Sequence, residues 1–127
     1  MNSFRNALYA FLTNAGSSAH GRIYPQQLPQ QAQLPAMTYV QVSGAGEYSQ
    51  SGPSRLVHPR YQIDCWGDGY LAASTLAEEV KQAVDGYRGM MGGFEVGVTF
   101  IEDERDNFDP ETFRHWVSLD IEIWYSR

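Results

Sequence analysis

A run of acidic side chains in the last third of the chain is the densest set of residues that could do chemistry. Six carboxylates lie close together, at Glu102, Asp103, Glu104, Asp106, Asp109 and Glu111. Carboxylate oxygens suit Ca²⁺ and Mg²⁺, and a pair of carboxylates can perform acid–base catalysis on a glycoside. The spacing does not match a calcium-binding loop, and no glycine stands where its sharp turn needs one. The prediction is a solvated acidic loop with no metal, no cofactor and no catalytic residue.

The histidines and the cysteine do not form a site in the sequence. His20, His58 and His115 are far apart and lack the HExxH spacing of zinc enzymes, so we expect exposed histidines without a task. Cys65 is the only cysteine, which excludes an internal disulfide and a cysteine-rich zinc site. Because Cys65 alternates with Tyr61 and Ile63, we expect it to be buried on the apolar face of a strand.

The composition is that of a folded chain with one domain over residues 1–127. Hydrophobic residues make up 43% and aromatic residues 13% of the 127 residues, which is enough to form one core. The net charge of −6, with nine scattered Lys and Arg, argues against a nucleic-acid reader. No apolar run approaches the roughly 20 residues that span a bilayer. We expect a soluble protein of a reducing cytoplasm, without a membrane partner.

The apolar periodicity predicts two helices and four strands. Apolar residues at helical spacing run from Phe4 to Ala15, after Ser3 as a cap and before Gly16 as a stop, and again from Leu71 to Tyr87, after Asp68 as a cap. Alternating apolar residues predict strands over 37–42, 56–66, 94–100 and 117–125. An irregular arm should cover 16–35. The segments 44–55 and 102–113 should be mobile loops.

The order helix, strand, strand, helix, strand, strand predicts an α+β fold of two layers. Each predicted strand has one apolar face, so we expect a mainly antiparallel four-stranded sheet with both helices on one face. Charged residues and tryptophans alternate on the opposite face, which is unusual for a surface that meets only water. The candidate subunit interface consists of Arg60, Asp64, Trp66, Trp116, Glu122 and Trp124, with Asp120 among them. The alternative is that the tryptophans merely pack over neighbouring arginine side chains.

An ordered set of short motifs resembles one known family. The motifs are Gly21–Pro25, Leu34–Pro35, Gln62–Trp66, Gly86–Gly89 after an alanine-rich helix, Glu102–Asp106 and Val117–Tyr125. Together they cover nearly the whole chain and resemble the tail-completion, or tail-terminator, proteins of long-tailed phages, prophages and gene transfer agents. No single motif is diagnostic, whereas their order is much more specific.

The resemblance implies a structural assembly protein and not an enzyme. Such proteins form rings, typically hexamers, on the head-proximal end of the tail tube, where they stop tube polymerisation and join the tail to the head. The implied partners are copies of the chain, the tail tube protein and a head-completion or neck protein. The implied location is the tail–head junction of a particle assembled in the bacterial cytoplasm. DNA would pass through the ring without sequence-specific binding.

Two further expectations concern the acidic residues. Within a ring, some of the carboxylates from Glu102 to Glu111 could contact a partner or face the DNA channel, where their charge would repel phosphates. The alternative function is a small cytosolic α+β binding module or enzyme that uses the acidic 102–111 segment. Such a module should show a concave apolar pocket with converging polar groups.

Overall fold

A computed structural model describes residues 3–44, 46–49 and 52–126, with backbone only at 46–49 and 52–55. Two helices and eight strands follow one another along the chain. In order they are α1 (Phe4–Asn14), β1 (Ile23–Pro25), β2 (Ala36–Ser43), β3 (Gly46–Ser49), β4 (Gly52–Val57), β5 (Arg60–Gly67), α2 (Tyr70–Val84), β6 (Gly89–Met91), β7 (Phe94–Asp109) and β8 (Arg114–Ser126).

The predicted four-stranded sheet is wrong. The described strands form one curled, mixed sheet of eight strands, a half-barrel, and only β1 pairs in parallel, with β2. One path through the sheet runs β1-β2-β5-β8-β4-β3, while β7 pairs with the other edge of β8 and β6 pairs with β7. β3 and β4 come from the expected loop at 44–55, and β6 lies in the turn after α2. β1 lies in the segment 16–35, so the prediction of a wholly irregular arm there is also wrong.

The first helix begins and ends as the sequence indicates. The Ser3 hydroxyl accepts a hydrogen bond from the Asn6 amide at 3.3 Å, which satisfies one of the free amides of the first turn. Gly16, just beyond the helix, has a φ of 71°, a conformation that glycine adopts at no steric cost. The predicted cap of α2 is wrong, because its N-cap is Gly69, which offers no side-chain hydrogen bond, and not Asp68.

The acidic segment is mostly strand, and the predicted loop over 102–113 is wrong. β7 continues to Asp109 and pairs with β8 down to Arg114, so that only a short turn remains at 110–113. Basic side chains from other elements offset the acidic charges, and charged residues on a free strand edge discourage pairing with other chains. The strand therefore forms despite a composition that is typical of a loop.

The segment 44–55 is also wrongly predicted as a loop. β3 and β4 pair in antiparallel fashion, with Ser49 opposite Gly52, and β4 joins the sheet by pairing with β8. Residues 45, 50 and 51 of this segment lie outside the described residues. His58 and Pro59 separate β4 from β5. The Pro59 carbonyl accepts a hydrogen bond from the Ile123 amide at 3.1 Å.

One apolar core lies between the helices and the sheet face that we call the inner face. Alternate residues of β5 and β8 form the centre of this face, namely Tyr61, Ile63, Cys65, Val117, Leu119, Ile121 and Ile123, and all are buried. α1 contributes Phe4, Ala7, Leu8 and Leu12, and α2 contributes Ala73, Leu76, Ala77, Val80 and Val84. The apolar residues that alternate along the strands and those that recur at helical spacing therefore pack into one core.

The burial of Cys65 is confirmed, and it predicts an unreactive thiol. Burial, with the nearby charge of Asp64 as a smaller cause, raises the pKa of the Cys65 thiol far above its ordinary value. Because the thiolate is the reactive form, we expect no reaction with a chromogenic disulfide reagent in native buffer. One equivalent should react after unfolding in guanidinium. Rapid stoichiometric reaction without denaturant would contradict this burial.

Candidate functional site: the outer face of the sheet

The face opposite the helices, which we call the outer face, carries every residue of the predicted subunit interface. The β5–β8 register places Arg60 opposite Glu122 and Trp66 opposite Trp116, all pointing away from the core. Trp124 has the same parity on β8, and Asp64 the same parity on β5. Because both helices pack against the inner face, no described helix covers this surface.

Two tryptophans form a stacked pair at one end of the outer face. The rings of Trp66 and Trp116 are 4.6 Å apart between centroids and inclined by 22°. The Trp66 indole N–H donates a hydrogen bond to the hydroxyl of the buried Thr38 at 3.0 Å. Both tryptophans are half-buried. The pair therefore stabilises the subunit itself while leaving part of each ring available to a partner.

The third tryptophan belongs to a cluster around Glu122. Its ring stacks on His58 at 4.1 Å with an inclination of 12°, and its indole N–H donates to Glu122 Oε1 at 2.9 Å. His58 Nδ1 lies 3.3 Å from Glu122 Oε2, and Arg60 Nε lies 3.7 Å from the same oxygen. Burial acts to raise the pKa of Glu122, but the hydrogen bonds from Trp124 and His58 and the nearby charges lower it below its ordinary value. Glu122 thus remains ionised and holds the cluster together.

A chain of neutral and acidic side chains crosses the middle of the outer face. The Ser118 hydroxyl donates to Asp64 Oδ1 at 2.7 Å, and the Gln62 side-chain amide donates to the same oxygen at 3.0 Å. On the next strand, the Asn107 amide donates to the Ser118 hydroxyl at 3.1 Å. Asp64 is therefore held by partners from its own strand and from β8, and the network ties β5, β8 and β7 together.

Arg105 links two acids at the β7 side of the outer face. Its guanidinium donates to Asp120 at 2.8 Å and to Asp103 at 2.7 Å. The hydrogen bond from Arg105, helped by the Glu104 backbone amide, lowers the pKa of Asp103. This contact neutralises part of the acidic segment.

The six predicted acids do not form one continuous surface. Glu102 pairs with Arg60 at 3.0 Å, and Asp103 pairs with Arg105, both on the outer face. The strand alternation turns the next two acids toward α2, where Glu104 pairs with Lys81 at 2.9 Å and Asp106 accepts from the Tyr70 hydroxyl at 3.0 Å. Their role toward a partner or a DNA channel stays a prediction.

The last two acids lie at the turn between β7 and β8. Asp109 accepts hydrogen bonds from the Thr112 hydroxyl at 2.8 Å and from the Glu111 amide at 3.0 Å. The Thr112 contact, helped by the Glu111 amide, lowers the pKa of Asp109. Asp109 therefore stabilises the turn in its charged form.

Several residues of this face were missed in the sequence. His58 was expected to be exposed and without a task, which is wrong, because it is half-buried against Trp124. The sequence also gave no sign that this face includes Arg105, Asn107 and Thr38, because their hydrogen-bond partners lie on other strands. Extending the alternation of β7 past residue 101 would have placed Arg105 and Asn107 beside β8.

The described part of the chain contains neither a metal-binding cluster nor a membrane-spanning helix. Over residues 3–44, 46–49 and 52–126, no group of three His, Cys, Asp or Glu residues is arranged to hold a metal ion. Neither of the helices in these ranges has the length and apolar character needed to cross a bilayer.

Comparison with known proteins identifies the family. The sequence model of the family described as Tail completion protein gp17 matches residues 6–126. The chain belongs to this family. It is accordingly a structural protein of a phage tail and not an enzyme, and its place is in a phage or phage-like particle. These statements confirm the family resemblance and the non-enzymatic class that the sequence motifs implied. No curated protein sequence matches the chain.

Solved structures share the fold of this tail completion protein. A chain from the virion of a native gene transfer agent particle is 12% identical, with a TM-score of 0.75, and the match covers 100% of both chains. A second solved structure is 17% identical, with a TM-score of 0.63, and the match covers 97% of this chain and 96% of the other. At these identities the likeness concerns the fold alone.

Proposed function

We propose that this tail completion protein forms a ring at the head-proximal end of the tail tube, where it stops tube polymerisation and joins the tail to the head. The observation that carries the proposal is the outer face, an open sheet surface with three half-buried tryptophans among charged residues. Large aromatic side chains that are partly exposed among charged residues are unusual for a monomer. Aromatic anchors surrounded by polar contacts are typical of protein interfaces. The family description, tail completion, supports the same role.

The partners follow from this role. Each subunit of a closed ring meets two identical copies through two different patches, and the ring must also meet the tail tube protein and a neck protein of the head. A hexamer would suit such a junction. We assign the outer-face residues Arg60, Asp64, Trp66, Trp116, Glu122 and Trp124 to one of these contacts. If Asp109 and Glu111 face the channel, their charges would help DNA slide by repelling its phosphates.

Deleting the gene tests the function itself. In a strain that produces the particles, we expect overlong tails and heads without tails, because nothing would end the tube or connect it. Electron microscopy of negatively stained lysates measures both, and a plasmid copy of the gene should restore normal particles. Normal particles from the deletion strain would show that the chain does not complete the tail.

Outer-face variants test the interface. Trp66→Ala and Trp124→Ala should each reduce joined particles at least tenfold, since truncating an interface anchor often costs about 2 kcal/mol or more. Gln82→Ala removes an exposed side chain on α2, on the opposite side of the sheet, and should have no effect. Subunit folding is checked by circular dichroism, because Trp66 also stacks on Trp116. Normal joined particles from both folded tryptophan variants would show that this face is not an interface.

A further inference from the structure

A second surface, distinct from the outer face, exposes apolar side chains at the turn between β7 and β8. We call it the aromatic tip, and it consists of Tyr70, Leu71, Phe108, Phe113 and His115. Phe113 is 73% exposed and Leu71 is 78% exposed. Phe108 lies 4.6 Å from His115 and 6.3 Å from Phe113 between ring centroids, so the rings form one group. Contiguous exposed apolar groups of this kind mark interaction sites.

The backbone at Phe113 gives an independent reason to look for a partner. Its φ is 57°, in the left-handed region that bulky residues avoid. Glycine or asparagine would occupy this turn position with less strain. Since the Phe113 side chain is also mostly in solvent, the fold of the subunit does not explain a phenylalanine here. Strained residues kept against local preference are concentrated at functional sites.

Acidic side chains border the aromatic tip. Asp106 and Asp109 come from β7, and Glu111 and Asp68 are exposed nearby in the chain. The nearest cation in the sequence, Arg114, directs its guanidinium to the Gln30 carbonyl at 3.0 Å. A complementary surface should therefore offer an apolar cavity with a cation beside it.

The same chain carries a cavity with a cation and with apolar and aromatic side chains among polar ones, which we call the Arg5 groove. It has a volume of about 400 Å³ and lies between the start of α1 and strands β1 and β2. Its lining includes Arg5, Asn6, Pro25, Tyr39, Gln41 and Tyr61. The space is large enough to admit a phenyl ring against the apolar and aromatic walls.

Arg5 supplies the cation. It is exposed, and among the described residues it has no ion-pair partner. Burial raises the pKa of Tyr61 to about 12, and the positive charge of Arg5 opposes part of that rise, so the guanidinium acts on the groove wall. A carboxylate brought to the groove would find an unpaired positive charge.

The aromatic tip and the Arg5 groove lie on different parts of the sheet. Phe113 precedes the start of β8, whereas Tyr61 pairs with Ile121, so the two are about 26 Å apart along the strands. β7 lies on one side of β8, and β5 and β2 lie on the other. One subunit can therefore use both surfaces at once, each toward a different neighbour.

We infer that the aromatic tip of one subunit docks into the Arg5 groove of the next copy of this chain. The Phe113 ring enters the groove beside Tyr39 and Tyr61, and the acidic border meets Arg5. Repetition of this contact between unlike surfaces closes a ring. The inference deepens the proposed ring function and rests on it for the setting, but the contact itself can be tested separately.

Cross-linking between paired cysteines tests the contact. The double variant Asn6→Cys with Glu111→Cys places one thiol beside the groove and one at the tip, while the buried Cys65 adds no background. A short bismaleimide should give a ladder of dimers and larger species, both in concentrated protein and in purified particles. Each single variant should stay monomeric. A dimer from Glu111→Cys alone would show that the tip meets another tip and would overturn the inference.

The outcomes separate this contact from the ring function. The absence of a ladder in particles that contain the double variant overturns the docking, whatever the function. A ladder in the purified protein, together with normal particles after gene deletion, keeps the contact and rejects tail completion at the head.

Substitutions in the double-cysteine background test the chemistry of the contact. Phe113→Gly should abolish the ladder while leaving the melting temperature of the subunit unchanged or higher, because it removes strain with an exposed ring. A clear fall in melting temperature would show that Phe113 serves the fold and would overturn its assignment. Arg5→Glu should reduce the ladder at least tenfold. Arg88→Glu, an exposed arginine in the turn before β6, should not.

Discussion

Replacing Gly67 with alanine is expected to destabilise the subunit by about 3 kcal/mol, the upper end of what overpacking costs. Gly67 ends β5 where the first turn of α2 crosses it. A Cβ atom there would lie 2.4 Å from the Ala73 backbone nitrogen and 2.9 Å from both the Ala72 carbonyl carbon and its Cβ. These atoms belong to the helix itself and cannot rotate away as a long side chain would. The helix or the strand end must move.

Urea unfolding followed by circular dichroism measures this effect. Gly69→Ala is the matched control, because a Cβ atom at Gly69 would meet nothing within 4 Å and its backbone is extended. As an N-cap substitution it should cost no more than about 1 kcal/mol. Equal unfolding midpoints for the two variants would mean that α2 packs farther from β5 than the structure places it.

Replacing Glu122 with glutamine is expected to cost about 1–3 kcal/mol at pH 7, the usual range for hydrogen bonds to a charged group. The variant loses the charge that holds Arg60 and His58 and weakens the acceptor of the Trp124 indole. Because the pKa of Glu122 is lower in the folded than in the unfolded protein, its stabilisation is present above the ordinary value of 4.5 and is lost as the pH falls through the folded value. The difference between wild type and variant should therefore shrink below about pH 4.5.

Unfolding free energies measured between pH 3 and pH 8 check the Glu122 prediction. Glu95→Gln is the matched control, since the exposed Glu95 side chain on β7 has no hydrogen-bond partner among the described residues. It should change stability by less than about 0.5 kcal/mol at any of these pH values. A Glu122 effect that does not vary with pH would mean that the carboxylate charge does not hold the cluster.

The two effects also bear on assembly in different ways. Gly67→Ala disturbs the junction of β5 and α2, next to Tyr70 of the aromatic tip, so loss of particles from this variant would carry no information about an interface. Glu122→Gln leaves the core intact and alters the outer face alone. Comparing joined particles from these variants with their unfolding free energies therefore separates damage to the fold from damage to a contact.

What the sequence determined by itself was the local pattern and the family. The period-two alternation in β5 and β8 separates the buried Ile63 and Leu119 from the outer Asp64 and Trp116 without knowledge of any partner strand. Helical spacing similarly located α1 and most of α2. The ordered motifs indicated the tail completion family because they sample the whole chain.

Only the tertiary structure decided which charged segments are strands and which side chains meet. Glu102 is neutralised by Arg60 from 42 residues away, and Glu104 by Lys81 from 23 residues away. Local composition therefore predicted a loop where pairing with β8 makes a strand. The same holds for His58, whose partner Trp124 lies on β8, and for the aromatic tip, where the turn brings Phe108 and Phe113 beside α2. The physical reason is that periodicity is a property of neighbouring residues, whereas strand pairing and charge compensation depend on residues that are distant in the chain.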